Sequence, residues 1–126
     1  MNRKAIGDLG ETAVCEYLKQ NGYTIRDRNF HACCGEIDII AVKDDVMCFV
    51  EVKTRRLDSW ETGDEAVGRT KQNRIIRTAY RYIEKHDLHD EDWCFRYDIA
   101  SVSYWQDTVT DIDYLENAFD ESDFSF

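Results

Sequence analysis

Two runs rich in β-branched and aromatic residues, 36–42 and 46–54, are separated only by Lys43-Asp44-Asp45. Short runs of this composition read as strands. So brief a connection holds them antiparallel, and any fold open to the chain is built around that hairpin. Side chains alternate faces along a strand. Glu36, Asp38 and Ile40 therefore share one face, and Phe49, Glu51 and Lys53 share one. If the chain turns symmetrically about Asp44-Asp45, residue i lies opposite residue 89 − i. Asp38 then faces Glu51, and Glu36 faces Lys53. Opposed Cβ atoms in such a ladder stand roughly 4.5–5.5 Å apart.

Two carboxylates at that separation repel, and a divalent cation relieves the conflict. Mg²⁺ takes oxygen ligands, typically one or two carboxylates together with waters and substrate phosphates. It lowers the pKa of its bound water and offsets charge developing at phosphorus. Lys53 on the same face suits a group that holds the attacking water or neutralises that charge. The spacing is equally compatible with a solvent-facing strand merely decorated with charges. Glu36–Lys53 is then a surface pair worth well under ~1 kcal/mol.

Around the hairpin, apolar residues Ile6, Leu9, Ala13, Val14, Tyr17 and Leu18 recur at helical spacing over residues 4–20, and Asn21-Gly22 closes that helix. Residues 23–30 alternate as a strand, and 31–35 connect it to the hairpin. Residues 55–66 are polar and read as a loop. A second helix is expected over 67–85, with Gln72, Ile75, Ile76, Ala79, Tyr82 and Ile83 as its buried stripe. Lys71, Arg74, Arg77 and Arg81 form a basic ridge on its other side. Residues 93–102 read as a further strand, and the remainder as a strand with a short helical turn. The expected fold is α/β, a mixed sheet flanked by helices in the order α-β-β-β-α-β. One domain covers residues 1–119, and 120–126 form an acidic, flexible tail.

The sequence Gly35-Glu36-Ile37-Asp38, followed by Phe49-Val50-Glu51-Val52-Lys53-Thr54-Arg55, resembles the YraN-like family of uncharacterised bacterial proteins. That family is similar to the Holliday-junction resolvases of the PD-(D/E)XK nuclease superfamily. The likeness covers about residues 5–120. It includes Gly10-Glu11, Gly22-Tyr23, Arg28-Asn29, Lys71, Ala79, Tyr82, Arg96-Tyr97-Asp98 and Asn117-Ala118-Phe119. It implies a restriction-endonuclease-like core and a Mg²⁺-dependent endonuclease (Mn²⁺ able to substitute) acting on DNA, branched or duplex, in recombination or repair. Glu11, Asp38, Glu51 and Lys53 would be catalytic, and Asp38, Glu51 and Val52 would hold the metal. Glu36 and Gln72 would support them, and Arg55, Arg56, Lys71 and Arg74 would contact phosphates. A homodimer is implied by the same likeness. The alternative is a nucleic-acid-binding or protein-interaction module that keeps the fold and uses the site little.

Charge distribution bears on that choice. The chain carries −10 overall, but residues 1–81 sum to +1 and residues 82–126 to −11. The acidity thus belongs to the C-terminal third, which could contact a protein partner, and the overall balance does not exclude a polyanionic substrate. Cys15, Cys48 and Cys94 lie in apolar-periodic segments and read as buried thiols. Cys33 and Cys34, close to His31, lack the second ligand pair that a zinc site needs. No apolar run is long enough to span a bilayer, and the N-terminus has no signal-peptide pattern, which points to a cytoplasmic protein without a membrane. His86 and His89 read as surface residues, Trp93 and Trp105 as core, and Trp60 as a candidate for stacking on a base.

Overall fold

The computed structural model describes residues 1–59 and 67–121. The loop residues 60–66, including Trp60, and the tail residues 122–126 lie outside the described residues. The element order is α1 (Arg3–Gln20), β1 (Thr24–Ala32), β2 (Gly35–Lys43), β3 (Val46–Arg56), α2 (Arg69–Lys85), β4 (Cys94–Trp105) and β5 (Thr108–Phe119). The strands form one five-stranded sheet in sequence order, β1 to β5. All neighbours are antiparallel except β3 and β4, which run parallel with α2 as their crossover. This mixed sheet with helices fits a restriction-endonuclease-like core, as expected from the sequence. No helix among the described residues is long and apolar enough to cross a membrane.

The continuous apolar character of β2 and β3 follows from their position. Ile39, Ala41, Cys48 and Val50 pack under α1 against Val14, Cys15 and Leu18. Ile40, Met47 and Phe49 pack on the other face under α2, against Ile75, Ile76 and Tyr82. Strands covered on both faces need apolar residues at nearly every position. Helix α1 ends as its sequence predicts. Gly22, at φ +89, follows the cap, and Gly22 N–H and Tyr23 N–H donate to the carbonyls of Lys19 and Leu18, at 3.1 and 2.9 Å. That is the paired bonding of a Schellman stop. At the hairpin, Asp44 adopts φ +55, a left-handed conformation that Asp tolerates better than most residues.

Three expectations change. The C-terminal remainder has no helical turn before Phe119; it is a twelve-residue strand that pairs with β4. Cys94 is exposed at the start of β4, while Cys15 and Cys48 are buried as expected. Trp105 ends β4 on the surface, 42% exposed and under the Arg56 guanidinium, whereas Trp93 packs against the core.

A buried charge cluster pins β5 to the sheet. Asp98 is wholly buried, and the Arg96 Nε donates to its carboxylate at 2.9 Å. Tyr114 Oη donates to the same carboxylate at 2.5 Å, and the Asn117 amide at 2.9 Å. Asn117 sits at φ +52 where the β4–β5 register shifts, so Asp98 accepts an N–H that the irregular ladder leaves over. Burial, with the Asp98 charge and hydrogen bond beside it, pushes the Tyr114 hydroxyl pKa far above the ordinary phenol value.

Candidate active site

The expected hairpin register, i opposite 89 − i, holds from Lys43↔Val46 to Ile39↔Val50, and there the β2–β3 ladder stops. Beyond that point β2 stays paired with β1, to Ala32↔Gly35, and β3 stays paired with β4, to Arg56↔Tyr104. The two strands part, and Asp38 and Glu51 are the first residues past the split. The Val52 amide, freed from the ladder, donates to Asp38 Oδ2 at 2.8 Å. Glu36 is consequently not opposite Lys53 in the ladder. Its ladder partner is His31, whose Nδ1 lies 3.2 Å from Glu36 Oε2, and Lys53 is in register with Ser101.

Both carboxylates are buried, Asp38 at 9% and Glu51 at 5% exposure. They face a cleft of about 720 Å³ whose charged lining is Glu11, Glu36, Asp38, Glu51, Lys71 and Arg74. Burial, then the neighbouring Glu51 charge, push the Asp38 pKa up to about 8, against the lowering effect of the Val52 amide. Lys71 reaches from α2 and its Nζ pairs with Glu51 Oε1.

Helix α1 supplies Glu11 by a close approach. An added Cβ on Gly10 would stand 1.9 Å from Thr54 Oγ1 on β3, so only glycine lets the helix lie so near the strand. Glu11 is half-buried, with its pKa raised chiefly by burial and lowered in part by Arg28. Its Oε1 is buried without a hydrogen-bond partner. Asn29, at φ +53 in β1, is the side chain that bonds Glu11. Neither Thr54 nor Asn29 carried a signal in the strand pattern, although the Gly7-x-x-Gly10 spacing marks a helix face open to close approach.

The remaining candidates fall at different distances from this cleft. Lys53 is half-buried on β3, two residues beyond Glu51 and on the same strand face. Gln72 donates its amide to the Val67 carbonyl at 2.6 Å and so braces the entry to α2. Arg74 lines the cleft, whereas Arg56 makes a two-point contact with Asp58 at the end of β3. Arg55 extends the same strand, half-buried. Lys71, expected on the phosphate-facing ridge, has its ammonium at Glu51.

The donor set suits a hard divalent cation. Asp38 and Glu51 bring carboxylate oxygens to the same cleft, and the orphaned Glu11 Oε1 is an acceptor that lacks a donor. No group of three His, Cys, Asp or Glu among the described residues forms a cage by itself. Mg²⁺ does not require one, because it keeps waters and shares phosphate oxygens of its substrate.

A family model described as "Uncharacterised protein family UPF0102" matches residues 10–102. A UPF0102 protein of Clostridium acetobutylicum is 44% identical over 120 residues, covering 94% of this chain and 96% of its own length. Those of Alkaliphilus oremlandii and Myxococcus xanthus are 41% and 37% identical, covering 94% of this chain and 100% and 91% of their own lengths. The chain belongs to the UPF0102, or YraN, family.

Proposed function

We propose that this UPF0102 chain is a Mg²⁺-dependent endonuclease that hydrolyses phosphodiester bonds in DNA, with branched or duplex DNA as its substrate class. The observation that carries the reading is the buried Asp38–Glu51 pair at the point where β2 and β3 part. Isolated buried carboxylates are costly, and a structural sheet gains nothing from two of them at one split. Asp38, Glu51 and the Val52 carbonyl would hold the cation, and Mn²⁺ could replace Mg²⁺. When bound, the cation supplies a water of lowered pKa and charge neutralisation at phosphorus.

The other roles belong to the chain. Glu11 Oε1, buried and unpartnered, accepts a hydrogen from water entering the cleft. Lys53 offers its ammonium to the phosphate or the attacking water. Arg74, with Arg55 and Arg56, orients the phosphate backbone, and such contacts make binding steeply salt-dependent. Sedimentation of the purified chain checks the homodimer implied by the resolvase likeness.

The test is cleavage of branched, flapped and linear DNA in Mg²⁺ or Mn²⁺ by the wild type, Asp38→Asn and Lys53→Ala. Metal-dependent cutting that both substitutions abolish is expected. Equal behaviour of all three proteins on every substrate refutes the nuclease reading.

A further inference from the structure

A lysine in the first turn of a helix opposes the helix dipole, because the N-terminal end already carries partial positive charge. Helix α2 nevertheless opens with Arg69-Thr70-Lys71, contains no acidic residue in that turn, and has Gly68 at its cap without a side-chain hydrogen bond. Gly68, Thr70 and Lys71 all line the cleft. The position is unfavourable for the helix, so the partner of the lysine is what explains it. That partner is Glu51.

The contact is lopsided. The Glu51 side chain is 6% exposed and the Lys71 side chain 56%. The carboxylate is fixed in the wall of the cleft, while the ammonium arrives from solvent on a flexible four-carbon stem. The ammonium is thus held by one of the two carboxylates that would hold a divalent cation. The side chain also lines the cleft that a phosphate would enter.

We infer that Lys71 is a built-in competitor at the metal position. Its ammonium neutralises Glu51 until a divalent cation takes that carboxylate and a phosphodiester takes the ammonium, so metal and nucleic acid bind cooperatively. The inference rests on the metal reading given above and assigns to the site a regulation of its own. Neither ligand fully satisfies the cleft alone. The metal alone strands Lys71 among positive charges at a helix N-terminus, and the phosphate alone strands Glu51 beside Asp38. Coupling of this kind is reciprocal, so each ligand tightens the other by the same factor.

The test is a calorimetric titration of the full chain with Mn²⁺ alone, for the wild type, Lys71→Met, Lys71→Gln and Asp38→Asn. Both Lys71 variants are expected to bind Mn²⁺ about tenfold more tightly than the wild type. That is the order of effect of removing one charge that faces a divalent ion at a half-exposed contact. Asp38→Asn is expected to lose the binding. Fluorescence anisotropy with a short DNA duplex then compares EDTA with Mg²⁺. Mg²⁺ tightens wild-type binding, and the gain shrinks in Lys71→Met. Unchanged or weaker Mn²⁺ affinity in both Lys71 variants overturns the competitor role and leaves the metal reading standing. Mn²⁺ binding that survives Asp38→Asn, or that is absent from every protein, overturns the metal reading and the competitor role together.

Discussion

Replacing Asp38 by Asn should stabilise the metal-free protein, and the gain should depend on pH. In the folded chain, burial and the Glu51 charge raise this carboxyl from 3.8 to about 8. A carboxyl raised by folding favours the folded state while protonated. Its contribution is complete below pH ~4 and is lost as pH climbs through about 8, because the folded state binds the extra proton across that window. The full gap sets a ceiling of about 5–6 kcal/mol at high pH. Half of that, about 3 kcal/mol, is a sounder expectation for two coupled carboxylates of which one already has a lysine partner. Asn is close in shape to the protonated acid, and its Oδ1 can still accept the Val52 amide. Urea denaturation in EDTA should therefore show Asp38→Asn matching the wild type near pH ~3.5, exceeding it by about 1.5 kcal/mol near pH 5 and by about 3 kcal/mol near pH 9. Adding Mg²⁺ at pH 9 should raise the wild type alone, by mass action on the folded state. A variant less stable than the wild type at pH 9, or a difference that does not change between pH 5 and 9, refutes the account of a strained carboxylate pair.

Two further substitutions examine how the site is supported. Gly10→Ala places a Cβ at 1.9 Å from Thr54 Oγ1, so α1 must shift away from β3 and carry Glu11 with it. Overpacking of about 1–3 kcal/mol should exceed the ~1 kcal/mol gained in helix propensity, giving a net loss of thermal stability; a more stable variant contradicts the close approach. Asp98→Ala removes the shared acceptor of Arg96, Tyr114 and the Asn117 amide, and leaves a largely buried guanidinium with only the exposed Glu116, at 3.7 Å, as its ionic partner. A loss of about 3–5 kcal/mol in urea denaturation is expected, and a loss under about 1 kcal/mol shows that the cluster does not pin β5.

The hairpin was legible because its determinants are local. A two-residue turn fixes register, alternation fixes faces, and both act within residues 35–53. That is why the 89 − i register could be written from the sequence and recurs in the ladder. Its end could not be written. The point where β2 leaves β3 depends on Asp38 claiming the Val52 amide and on the continued pairing of β3 with β4, whose partner residues are about fifty positions away. Glu36 was misplaced for the same reason, since its ladder partner is chosen by β1. Lys71 is the clearest case. Helical periodicity put it on a basic ridge, and periodicity cannot say that a side chain in the first turn will bend into a cleft made by another element. Trp105 and Cys94 were read as core from hydrophobicity alone, although both lie at ends of β4, where burial runs out.

The acidic C-terminal third also has a physical place in this fold. Its connection 87–92 leads into Cys94, which is in register with Val46, the residue that starts β3. Glu51 lies five residues further along that strand, about 16 Å at the usual rise. Asp111, Asp113 and Glu116 are exposed on β5, the edge strand two positions from β3. Charges on an edge strand discourage pairing with another chain, a role that needs no binding partner. Asp98, the remaining acid at the heart of this region, is neutralised by Arg96. The strand order thus keeps most of the negative charge at the far end and far edge of the sheet, while α2 places Lys71 and Arg74 at the cleft. A net charge of −10 is therefore a poor guide to what the cleft can bind, because the field a phosphate meets is set by the charges within a Debye length of it.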